Sequence, residues 1–167
     1  MHRELMSYAP VPLRWMIGFG FLYHGVPKLS MDGHAAFNQN LQGMGVPAPE
    51  LMAWALALLE VLGGLALILG VLTRAVAVLL IVEMVVAALK VHGPNGFGII
   101  HIVGQGPSGP IFGMPGYELN LLYIAPLLSL TLSGPGRWSL GRARRVAEHD
   151  AAEKVMRPQP ALHELDR

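Results

Sequence analysis

Residues 74–92 read RAVAVLLIVEMVVAALKVH, nineteen positions of which only Arg74, Glu83, Lys90 and His92 can carry charge. At about 1.5 Å per residue such a helix covers close to the roughly 30 Å of a bilayer's hydrocarbon. Three further apolar segments resemble it: 13–29 (LRWMIGFGFLYHGVPKL), 50–72 and 117–133. Composition agrees. Of 167 residues, 53% are hydrophobic and 14% charged, with a mean hydropathy of +0.46, whereas soluble domains carry about 25% charged residues. The expected fold class is all-α, an integral membrane four-helix bundle. Its helices occupy residues 1–140, and a charged tail occupies 141–167.

Several chemistries are set aside at once. The chain has no cysteine, so it carries no disulfide, thiolate metal site, iron–sulfur cluster or dithiol couple of its own. Its histidines show no helical metal-ligand spacing, and no metal or nucleic-acid partner is expected. GPNGFG lacks the preceding strand and following helix that a phosphate loop needs. The N-terminal MHRELMSYAPVP lacks the marks of a cleavable signal.

Lysine and arginine distribution sets the expected orientation. Arg3, Arg14, Arg74 and the tail cations Arg137, Arg142, Arg144, Arg145, Lys154, Arg157 and Arg167 fall at one end of the segments, while the loops 30–49 and 93–116 contain no lysine or arginine. By the positive-inside rule both termini face the cytoplasm and the long loops lie outside. A multi-pass protein of the cytoplasmic membrane is implied. Arg14 reads as an interfacial anchor, and Trp15, Trp54 and Trp138 lie near segment ends, where indoles are favoured.

Ionisable residues at lipid depth are functional candidates because each costs a few kcal/mol there. On an ideal helix Arg14, Phe21, His24 and Lys28 fall within about 80° of arc. Glu60 shares a face with Ala53, Ala57, Gly63 and Gly64, small residues that let another backbone approach. Glu83 and Lys90, seven residues apart, fall on one stripe; Glu118 aligns with Ala125 and Ser129, with Asn120 opposite. His24, Lys28, Lys90, His92 and Glu118 are thus expected in the outward half of the bundle, around a polar pocket, with Glu60 and Glu83 near the midplane. For Lys28, Lys90, His92 and Glu118 snorkelling to the interface is the competing reading. The 93–116 connection holds eight glycines and four prolines, which forbids a long helix. Its isoleucines and phenylalanines suit a membrane-surface lid over the pocket or plain packing across the helix ends.

Taken in order, GFGFLYHGVPKL, MGVPAPELMAWALALLEVLGGLALILGVLTRAVAVLL, VHGPNGF, GYELNLLY and SGPGRWSL resemble the DoxX family of small bacterial and archaeal membrane proteins, over about residues 12–140. The resemblance implies a four-helix membrane bundle linked to redox chemistry. One branch is associated with thiosulfate:quinone oxidoreduction, another with complexes containing superoxide dismutase and a sulfurtransferase. It points to His24, Lys28, Glu60, Lys90, His92, Asn95, Glu118 and Asn120 as the family-like polar positions, and leaves Glu83 outside. The expected working set is His24, Glu60 and Glu118 for proton chemistry, and Lys28, Lys90, His92, Asn95 and Asn120 for holding a quinone or a small oxidised or anionic substrate. With no evident electron carrier in the chain, a bound flavin, a membrane or cytoplasmic redox partner or the substrate itself must supply electrons. The alternative is a non-catalytic scaffold or assembly subunit, its basic tail meeting a partner or anionic lipid. A second copy of the chain is a further partner the sequence leaves open.

Overall fold

A computed structural model describes residues 6–141; the tail from 142 onward lies outside the described residues. The chain is mostly helical. Helix α1 spans Pro10–Lys28, α2 Met31–Gly43, α3 Pro49–Leu69, α4 Thr73–Ala87 and α5 Glu118–Ser133. Beyond α4 the helix widens into a π turn, Ala88–His92, and closes with a 3-10 turn, Gly93–Asn95. Proline sits at the start of α1 and α3, where its missing N–H costs nothing, and Pro27 comes just before α1 ends.

Two helical stretches, Pro49–Leu69 and Thr73–Asn95, are long and apolar enough to cross a membrane. Helix α1 packs on α3, α3 on α4, α4 on α5 and α5 back on α1. Phe21, Leu67, Ala77, Leu80, Leu127 and Leu130 form the core between them. At one end the start of α1, the α3–α4 turn and the exit of α5 meet: Arg74 donates to the Leu132 carbonyl, and Arg14 to that of Trp138 at 3.0 Å. Arg14 is fully buried. Expected as an interfacial anchor, it ties the turning segment 137–138 to the start of α1 at this end of the bundle.

At the seam between α1 and α3 two helix backbones approach closely. A Cβ on Gly18 would stand 2.6 Å from the Gly64 carbonyl oxygen, and one on Gly64 equally close to the Gly18 carbonyl. Only glycine at both positions permits this crossing. Further along, Gly25 lies against the Cβ of Glu60 and the backbone of Val61. Gly63 faces the other way, toward Val76 and Leu80 of α4, so the pair Gly63–Gly64 serves two neighbours.

The two long connections are more ordered than the sequence reading allowed. Residues 31–43 form α2, started by Ser30, whose hydroxyl accepts from the Gly33 N–H at 3.2 Å. Its inward side carries His34, Phe37 and Leu41, spaced three and four apart, and it packs on α3. Residues 102–112 form an antiparallel hairpin, β1 (Ile102–Gly106) against β2 (Gly109–Phe112), with a bulge at Val103. The fold is therefore helical with one small hairpin, whose Gly106–Pro107–Ser108–Gly109 turn and β-branched flank favour strands over helix.

Candidate functional site

Helix α1 places two different environments on its two sides. On the seam side, Gly25 brings Glu60 close enough that Lys28, one turn on, reaches its carboxylate: Nζ stands 2.6 Å from Oε1. Phe37 of α2 covers this ammonium, its ring centroid 4.3 Å away. Glu60 is 3% exposed. Lys28 thus turns inward under α2 instead of snorkelling. From α4, Glu83 lies near enough to Glu60 and Lys28 to interact electrostatically with both. One oxygen on each carboxylate, Oε2 of Glu60 and Oε2 of Glu83, is buried without a partner among the described residues. Two carboxylates and one ammonium meet with acceptor capacity to spare.

On its other side α1 forms a cleft with α5. The cleft holds about 540 Å³ and is lined by Leu13, Met16, Phe19, Tyr23, His24 and Tyr123 among others. Gly20 makes room for Tyr123, whose hydroxyl a Cβ there would strike. His24 is exposed and meets only the edge of Tyr23, 5.5 Å between centroids. It therefore stands apart from the Lys28–Glu60 pair. The reason is phase: His24 lies at the rim of the arc that holds Arg14, Phe21 and Lys28, and the rim turns toward α5.

The remaining expected residues form one further group and two separate positions. His92 Nδ1 lies 2.9 Å from the Pro115 carbonyl oxygen, Asn95 donates to Val91 and Pro115 carbonyls, and Glu118 accepts from the Ile99 N–H at 3.0 Å. These three fasten the base of the 93–116 segment to the ends of α4 and α5. Lys90 is exposed. An ideal helical step put it on the stripe of Glu83, but the π turn that begins at Ala88 widens the helix and shifts its phase. Asn120 is buried; its amide meets Met84 Sδ at 3.8 Å and its carbonyl oxygen has no partner among the described residues.

Sequence reasoning missed a polar cluster at α2. His34 Nε2 lies 3.0 Å from Glu50 Oε1, Asn38 donates to the other Glu50 oxygen, and the His34 ring stacks on Trp54 at 4.0 Å. The signal was present in the Ser30 cap and the 34, 37, 41 spacing. No group of three or more metal-binding side chains occurs among the described residues.

The DoxX family model matches residues 9–93, from the start of α1 through the end of the π turn. The chain belongs to the DoxX family. An uncharacterized membrane protein of Mycobacterium tuberculosis is 30% identical over 135 residues, 78% of this chain and 77% of that protein. An uncharacterized protein of Haemophilus influenzae is 30% identical over 129 residues, 77% of this chain and 84% of that one. No solved structure matches. As a DoxX-family membrane protein, the chain holds Lys28, Glu60 and Glu83 inside the matched region, whereas Asn95, Glu118, Asn120 and the hairpin lie beyond it.

Proposed function

We propose that this DoxX-family protein is the quinone-binding membrane subunit of a redox assembly, with the quinone head group in the cleft between α1 and α5. The observation that carries this reading is the placement of His24 and Tyr123, with Tyr23 beside them, in a cleft otherwise lined by apolar side chains. A quinone needs an apolar wall for its ring and tail and a few polar groups at its carbonyls; a histidine and a phenol supply these. Reduction takes up two electrons and two protons. In this reading the protons are drawn from the Lys28–Glu60–Glu83 group, which lies on the seam side of α1, one turn along the helix from His24. Glu60 and Glu83 are the carboxyl groups of that set. The electrons come from a partner protein or a bound flavin.

In this reading α1, α3, α4 and α5 all cross the cytoplasmic membrane, with both termini in the cytoplasm. The meeting of Arg14 and Arg74 at one end supports that orientation. A second reading, a non-catalytic scaffold, is favoured by the close Lys28–Glu60 contact, which would then serve as a structural tie between α1 and α3. Titration of the purified protein with a short-chain ubiquinone analogue separates the two. His24→Ala with Tyr123→Phe is expected to weaken binding about tenfold, from the loss of two hydrogen bonds. Equal binding by the wild type and the double variant would rule out this cleft, and no binding by either favours the scaffold.

A further inference from the structure

We propose that the β1–β2 hairpin lies in the interfacial layer of the leaflet at its own end of the molecule, as a lateral membrane foot. Between Gly93 and Gly116 there is no aspartate, glutamate, lysine or arginine. Ile100, Ile102, Val103, Ile111, Phe112 and Met114 are all more than half exposed, Ile100 at 74%. They lie on both faces of the ribbon, so neither face packs on the helices. Water is a poor environment for such an arm, since patches of this kind mark contact with another apolar phase.

Two features select the lipid interface as that phase. The first is height. The base of the segment is fastened to the helix ends by backbone bonds from Gly116 to Gly98, Tyr117 to Gly96 and Glu118 to Phe97, with Glu118 holding the Ile99 N–H. Four or five strand residues extend only about 15 Å beyond that base. The hairpin therefore begins at the adjoining ends of α4 and α5, which the proposed function takes to cross the membrane, and stays near that level. The second is the backbone. A two-stranded ribbon leaves both outer edges unpaired, which excludes the hydrocarbon core, where no water satisfies them. The headgroup boundary accommodates apolar side chains and wet backbone together. Gln105 near the end of β1 and Ser108 in the turn suit the headgroup layer.

Because the chain has no cysteine, single cysteines label cleanly. The probe is a nitroxide placed by Ile102→Cys, Ile111→Cys or Phe112→Cys in proteoliposomes, with a nickel chelate on both sides of the bilayer. Val82→Cys, on an exposed apolar face of α4, and Gln39→Cys on α2 serve as lipid and water references. The expected oxygen-to-nickel accessibility ratio at the hairpin is several-fold above that at residue 39 and approaches that at residue 82. A ratio equal to that of residue 39 overturns the proposal. So does strong dipolar broadening between hairpin labels, which would place a second copy there. Ile100→Cys repeats the test outside the strands, should a strand variant misfold.

Discussion

Two polar clusters of three side chains each occupy this molecule, and they differ in what their hydrogen-bonding groups still lack. In the seam, Lys28, Glu60 and Glu83 meet, and two carboxylate oxygens stay buried without partners among the described residues. At the base of the hairpin, His92, Asn95 and Glu118 contact backbone groups, and each contact closes part of a loop. Spare hydrogen-bonding capacity in a dry place sets the seam apart, and it is costly unless a proton or another donor fills it.

The comparison breaks most completely if the seam is forced open. Gly64→Leu puts a side chain where the Gly18 carbonyl already stands, and overpacking of this kind costs about 3 kcal/mol or more. Little monodisperse protein should survive detergent extraction, and the residue should show a lowered thermal midpoint. By contrast Gly43→Leu, where nothing lies within 4 Å, should extract like the wild type.

Removing a charge from each cluster sharpens it. Lys28→Met leaves Glu60 buried beside Glu83 with no cation, a change expected to cost about 3 kcal/mol. Adding Glu60→Gln to Lys28→Met should recover much of that loss, as a double-variant cycle of denaturation midpoints would read. Glu118→Ala should have the smallest effect, about 1 kcal/mol or less. Its consequence should be local: faster hydrogen exchange at Ile99 with the helical core unchanged.

The helices were legible because bilayer thickness sets segment length and leaves few alternatives. The seam was legible in part: Glu60 among Ala57, Gly63 and Gly64 implied a close helix neighbour, and the neighbour is α1. Two kinds of feature were not legible. Ideal helical phase misplaced Lys90, because hydrogen bonding changes register at Ala88, and it grouped His24 with Lys28 although the rim of the arc turns to α5. Kinship set Glu83 aside, yet the packing of α4 brings it against Glu60. Helix α2 and the hairpin escaped because their polar or glycine-rich character masked short local signals, a serine cap in one and a four-residue turn in the other.

The central claim is that the seam exchanges protons with a quinone held on the far side of α1. Infrared difference spectroscopy on protein reconstituted with ubiquinone, reduced at an electrode, tests it without needing the natural electron donor. A carboxyl signal should accompany quinone reduction, disappear in Glu83→Gln and persist in Glu118→Gln. A spectrum with no carboxyl signal, or one that Glu83→Gln leaves intact, would contradict the account.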